Sequence, residues 1–132
     1  MDFAFDHVHF VCRDVAGMAG YFERVFGAER FLSNPDMKGS PVVGLRLAGV
    51  NLLIRGLRPG EAADVRAPAL VEGLDHLGLL VQDMEAAATW LKGRGAKFTV
   101  EPQATGMKGR KIAFIEGPEK IRIELVEPIP KG

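Results

Sequence analysis

The chain has three histidines, His7, His9 and His76, and they are its best candidates for chemistry. Imidazole is both the commonest protein metal ligand and an acid or base that titrates near neutrality. His7 and His76 sit at equivalent points of a repeated segment. Phe5-Asp6-His7-Val8-His9-Phe10-Val11-Cys12-Arg13-Asp14 returns as Leu74-Asp75-His76-Leu77-Gly78-Leu79-Leu80-Val81-Gln82-Asp83. Each copy has an apolar residue, then Asp-His, a strand-like run, and an Asp suited to cap a helix. The interval from His7 to His76 equals that from Asp14 to Asp83. Similarity at a fixed interval marks a duplicated structural unit.

The elements that must position these histidines follow from periodicity. Phe3 to Arg13 alternates as a strand, with Phe5, His7, His9 and Val11 on one face and Val8, Phe10 and Cys12 on the other. After Asp14, the residues Val15, Met18, Ala19, Phe22, Val25 and Phe26 recur at helical spacing, and Gly27 supplies the left-handed stop. Glu29–Asn34, Val42–Ala48 and Val50–Arg55 read as strands, separated by the turn Pro35–Ser40 and by Gly49. The stretch 56–73, with Pro59, Gly60 and Pro68, is a linker with a turn of helix at 61–65. The pattern then restarts: a strand over Leu74–Gln82 and a helix with the stripe Met84, Ala87, Ala88 and Leu91 closed at Gly95. Strands over Lys97–Glu101, Lys111–Glu116 and Ile121–Val126 follow, with a glycine-containing loop at Pro102–Gly109.

The expected fold is α+β: a single domain over 1–132 with two βαβββ modules, 3–55 and 74–127. A helix covers one face of each module's sheet, and pairing the other faces gives a curved eight-stranded mixed sheet around a cleft. Period-two parity assigns the cleft side. Helix-facing Leu52 and Ile54 leave Asn51, Leu53 and Arg55 for the cleft. Helix-facing Ile123 and Leu125 leave Arg122, Glu124 and Val126, and His7, His9 and His76 fall on the same side.

With 47% hydrophobic and 26% charged residues and a net formal charge of zero, the composition is that of a soluble globular protein. It gives no electrostatic case for nucleic acid or a membrane surface. No run approaches the ~20 apolar residues of a membrane span, and no secretory signal is visible, so the cytoplasm is the expected location. Cys12 is the only cysteine, which rules out an internal disulfide and argues against a thiolate metal cluster.

The motifs, in order, are Asp6-His7-Val8-His9-Phe10-Val11 with Tyr21-Phe22 and Val25-Phe26-Gly27; Leu74-Asp75-His76-Leu77-Gly78; and Ala113-Phe114-Ile115-Glu116-Gly117-Pro118 leading to Ile123-Glu124-Leu125-Val126. Across the whole chain this organisation resembles the vicinal oxygen chelate superfamily. That superfamily includes glyoxalase I, methylmalonyl-CoA epimerase, extradiol dioxygenases, fosfomycin-resistance proteins and bleomycin-binding proteins. The resemblance implies a divalent metal (Fe2+, Ni2+, Co2+, Mn2+ or Zn2+) on His7, His76 and Glu124. The family's fourth ligand position falls on Leu53, or on Leu52 if the register slips by one, and neither can bind a metal. Two imidazoles and one carboxylate are also the set of non-haem Fe(II) oxygenases.

The implied protein chelates two oxygens of a small substrate and forms a homodimer. Lyase or isomerase chemistry of the glyoxalase I or epimerase kind leads. Ring-cleaving dioxygenase chemistry and a metal-free drug-binding role are the alternatives. Glu124 and His9 are the candidate catalytic bases, and His9 reads equally as a residue that supports a metal ligand or is merely exposed. Arg46, Asn51, Arg55 and Arg122 are candidates to grip substrate, with Arg55 read rather as a solvated strand-end charge. Lys108 and Arg110 lie in a loop that reads either as a lid or as a plain basic hairpin.

Overall fold

The computed structural model describes residues 1–64, 70, 72–105 and 109–129, and the chain divides into two compact units, 1–64 and 65–132. The first unit runs β1 (His7–Val11), α1 (Val15–Phe26), β2 (Glu29–Met37), β3 (Ser40–Leu47) and β4 (Val50–Arg55). The second runs β5 (Leu77–Leu80), α2 (Met84–Gly93), β6 (Lys97–Ala104), β7 (Lys111–Glu116), a short 3-10 turn (Pro118–Lys120) and β8 (Arg122–Val126). Each unit is therefore a βαβββ module.

The strands hydrogen-bond as two four-stranded mixed sheets, ordered β1-β4-β3-β2 and β5-β8-β7-β6. In each, the first strand lies parallel beside the last, and the remaining pairs are antiparallel. The helix between the first two strands is what allows that parallel pairing, since a parallel neighbour requires a crossover.

Both helices start on an aspartate, as the sequence implies. Asp14 Oδ1 accepts from Gly17 N at 2.9 Å, and Asp83 Oδ1 accepts from Ala86 N at 3.1 Å. At α2 a second free helix N–H, that of Met84, donates to the Glu127 carboxylate at 2.8 Å, which ties the helix start to the chain after β8. Gly27 ends α1 at φ 72°, a left-handed conformation a β-carbon would disfavour. The β3–β4 turn has positive φ at both Ala48 (51°) and Gly49 (79°), the geometry that suits the right-handed twist of a two-residue hairpin.

Helix α1 packs on β3 and β4, and buries Val15, Met18, Ala19, Tyr21, Phe22 and Val25 against Val43, Leu45, Leu52 and Ile54. Phe10 of β1 stacks on Phe22, with ring centroids 6.0 Å apart, so Val8 and Phe10 face the helix and His7, His9 and Val11 face away. Helix α2 packs on β6 and β7 and buries Met84, Ala88 and Leu91 in a core shared with Ala113, Ile115, Ile123 and Leu125. Fully burying a side chain the size of Phe22 or Ile123 contributes about 1.5–3 kcal/mol, so this parity is held by several such residues per unit.

Several boundaries differ from the sequence reading. The first strand begins at His7 and the fifth at Leu77, later than the periodicity suggests; Phe3 and Phe5 are exposed and outside any strand. Strand β2 continues through Pro35 to Met37, and β6 continues through Pro102 to Ala104, each across an irregularity in register. The expected helical turn at 61–65 is absent from 61–64, where Glu61 instead closes a tight turn through Glu61 N to Arg58 O at 3.0 Å. Residue 65 lies outside the described residues. Among the described residues, no helix is long and apolar enough to cross a membrane.

Candidate functional site

The sheet face turned away from each helix carries the polar residues. In the first unit, cross-strand register aligns His7 with Asn51 and Asn51 with Arg46. The next row on the same face is His9, Leu53 and Gly44. In the second unit, Gly78 pairs with Glu124 and Glu124 with Phe114, while His76 immediately precedes β5.

Each repeated histidine is held by the aspartate before it. His7 Nδ1 lies 2.7 Å from Asp6 Oδ2, and His76 Nδ1 lies 2.7 Å from Asp75 Oδ2. A proton on Nδ1 shared with the carboxylate leaves the Nε2 lone pair available, the arrangement by which carboxylates orient metal-binding histidines. Strand alternation alone would have turned Asp6 and Asp75 away from the histidines that follow them. Both aspartates precede their strands, where side-chain alternation does not apply, and so can turn back to the imidazole.

Asp75 also accepts a hydrogen bond from Arg122, whose guanidinium lies 4.7 Å from the Phe114 ring centroid. The hydrogen bond from His76, followed by the Arg122 charge, holds the Asp75 carboxyl below the usual carboxylate range. His76 meets the Phe114 ring edge-on, with centroids 5.2 Å apart at 85°. Asp75, Arg122 and Phe114 thus fix the imidazole from two sides. Its Nε2 lies 3.5 Å from Glu124 Oε1. That separation is too long for a hydrogen bond. It matches the roughly 3.0–3.6 Å between two donor atoms that each sit about 2.0–2.2 Å from one ion. His76 and Glu124 therefore fit as a two-point ligand.

In the first unit, the His7 and His9 rings meet edge-on with centroids 6.0 Å apart at 71°. Partial loss of solvent, then the charges of Arg55, His7 and Arg58, hold the His9 imidazole below its ordinary pKa. Arg55 forms a fork onto Glu61, at 2.6 and 3.3 Å, and the same carboxylate accepts from the Arg58 backbone N–H at 2.7 Å. The Arg58 side-chain Nε is buried with no hydrogen-bond partner among the described residues.

Of the other candidates, Asn51 is half-buried in the His7 row, and Arg46 lies over the Phe31 ring at 5.3 Å. Arg110 Nε donates to the Glu127 carbonyl at 2.6 Å, anchoring the end of its loop to the chain after β8. Lys108 lies outside the described residues. Among the described residues, no group of three His, Cys, Asp or Glu side chains is gathered as a metal centre. His7 and His9 belong to the first unit, and His76 and Glu124 to the second.

Sequence reasoning did not single out Phe114 or Arg58. Phe114 is cross-strand from Glu124, so its place follows from the hairpin register. Arg58 follows Arg55 by three residues just past β4, a spacing that could have been read as a cationic strand end.

Two βαβββ modules, each with an Asp-His step leading into its first strand, give the chain a duplicated architecture. The chain belongs to the Glyoxalase/Bleomycin resistance protein/Dioxygenase superfamily, whose sequence model matches residues 4–125. The crystal structure of SMU.1112c is similar at 26% identity over 94% of this chain and 98% of that one, with a TM-score of 0.80. A glyoxylase/bleomycin resistance protein/dioxygenase domain from Frankia sp. EAN1pec is similar in fold at 20% identity, over 96% and 93% of the two chains, with a TM-score of 0.77. So is a mutant of the fosfomycin resistance protein FosX from Listeria monocytogenes, complexed with Mn(II) and 1S,2S-dihydroxypropylphosphonic acid. Its identity is 16%, over 96% and 90% of the chains, with a TM-score of 0.69. No protein of curated function matches the sequence.

Proposed function

We propose that this protein is a metal-dependent enzyme that binds vicinal oxygens of a small substrate on a divalent ion held by His7, His76 and Glu124. The carrying observation is the Asp75–His76 pair set 3.5 Å from Glu124, a donor pair spaced for chelation and already oriented. The matching Asp6–His7 pair supports His7 as the equivalent ligand. The Mn(II) complex of FosX supports a divalent ion on this fold. Imidazole and carboxylate donors suit Fe2+, Ni2+, Co2+, Mn2+ and Zn2+ alike. When bound, such an ion supplies Lewis-acid polarisation of the substrate oxygens.

The leading reading is lyase or isomerase chemistry. Glu124, a carboxylate beside His76, is suited to move a proton at the substrate carbon. Asn51 and Arg46, in line with His7, are suited to bind substrate oxygens or an anionic substituent. Arg122 is engaged with Asp75, so its first role is positioning His76. A second reading, ring-cleaving dioxygenase chemistry, is favoured by Leu53, whose place in the His9 row supplies no donor of its own.

Assays of protein loaded separately with each metal, against hemithioacetals, acyl-CoA epimers and catechols, with and without oxygen, separate the readings. Turnover that persists without oxygen supports the first; consumption of oxygen with a catechol supports the second. We also propose a homodimer, for which light scattering at micromolar concentration should show about 28 kDa, twice the 14.3 kDa chain.

A further inference from the structure

The repeat aligns His7 with His76 and therefore His9 with Gly78. Register then makes two cross-strand pairs equivalent: His9 with Leu53 in the first unit, and Gly78 with Glu124 in the second. In the second unit the first strand contributes a glycine and the last strand the donor. A β-carbon on Gly78 would lie 4.0 Å from Glu124 Oε1, ordinary contact, so the carboxylate lies beside the glycine on the same face. In the first unit the arrangement is reversed. The last strand contributes apolar Leu53, and the first strand contributes an imidazole.

We propose that His9 is itself a metal ligand, the donor that stands in for the one Leu53 lacks, so that the first unit presents a His7–His9 imidazole pair. The proposal rests on the metal-dependent reading above. With metal–nitrogen distances of about 2.0–2.1 Å, two imidazoles on one octahedral or tetrahedral ion have ring centroids roughly 4.5–5.3 Å apart. The observed 6.0 Å, with the rings edge-on at 71°, is wider than that, so the two rings are neighbours on one strand face that would close toward each other on a shared ion. His7 Nδ1 is engaged by Asp6, which leaves Nε2 for the ion. No hydrogen bond engages the His9 ring among the described residues, and the residue lies on the exposed side of the strand. A donor here leaves fewer coordination positions open than the two-imidazole, one-carboxylate oxygenase set, which favours the lyase or isomerase reading over oxygen activation.

The test is Co(II) binding, measured by calorimetry and by the visible ligand-field spectrum, for wild type, His9→Ala, His9→Gln, Glu124→Gln and the double variant His9→Ala/Leu53→His. Loss of a ligand should weaken Co(II) binding beyond the roughly 10–100-fold that loss of an outer hydrogen-bond partner costs, and should change the spectrum. The double variant, with its imidazole moved one strand over in the same row, should recover much of both. His9→Gln, close in size, guards against a folding defect, and thermal melts of the metal-free proteins should be superimposable. His9 variants with wild-type affinity and spectrum, beside a Glu124→Gln that loses metal, would overturn the proposal and leave the metal-dependent reading standing. A wild-type protein that binds no Co(II), Ni(II) or Mn(II) would overturn both.

Discussion

Replacing Asp75 with Asn isolates the part of the site the structure describes most completely. The Asp75 carboxylate accepts from His76 Nδ1 at 2.7 Å and from the Arg122 guanidinium. An amide of the same shape keeps one acceptor oxygen but loses the charge that both partners engage. His76 and Arg122 must then compete for that single neutral oxygen, and His76 can change which nitrogen carries its proton, while Arg122 keeps its packing on Phe114. Outer partners of this kind are worth 10–100-fold in metal affinity, so Asp75→Asn should weaken binding by about that factor. Asp6 serves as an internal control. Its side chain is 84% exposed, against 35% for Asp75, so water and salt screen it far more. Asp6→Asn should cost no more than about threefold, and less at high ionic strength. Calorimetric titration of metal-free protein with Mn(II) or Ni(II) measures both. Equal affinity for Asp75→Asn and wild type would refute the orienting role, as would a larger loss for Asp6→Asn than for Asp75→Asn.

Tyr21 carries a buried hydroxyl with no partner among the described residues, beside Phe22 and Phe26. Tyr21→Phe should leave stability unchanged or raise it by up to ~1 kcal/mol, and a comparable loss in chemical denaturation would show that the hydroxyl is paired in solution. The hydrogen bond from Arg55, then that from the Arg58 N–H, holds the Glu61 carboxyl below its ordinary range. A carboxyl lowered in the folded state adds stability that is complete above the unfolded value and is lost as pH falls through the folded one. The gap in melting temperature between wild type and Glu61→Gln should therefore be widest near neutrality and shrink as pH falls below the ordinary carboxylate range; a gap independent of pH would contradict the assignment.

The core was legible in the sequence because burial enforces period. Leu52, Ile54, Ile123 and Leu125 are all buried, as parity requires, and β4 and β7 begin and end where the alternation does. The cap residues Asp14 and Asp83 were legible because their chemistry is local. Proline misled at Pro35 and Pro102, where it was read as ending a strand. Both β2 and β6 are edge strands, which tolerate a residue with no N–H to donate, and each absorbs it in a register irregularity. The Asp-His hydrogen bonds were not legible for a different reason. Alternation places neighbouring strand residues on opposite faces, but Asp6 and Asp75 lie before the strands begin. The role of Phe114 beside His76 depends on a hairpin register that the composition of Lys111–Glu116 does not specify by itself.

The most direct test of the central claim is the stoichiometry and affinity of divalent metal on metal-free protein, for wild type, His7→Ala, His76→Ala, Glu124→Gln and a surface control, Glu85→Gln on α2. About one ion per chain for wild type and control, with each of the other three weakened by more than ~100-fold, is the predicted result. Binding by Glu124→Gln or His76→Ala at wild-type affinity would contradict it.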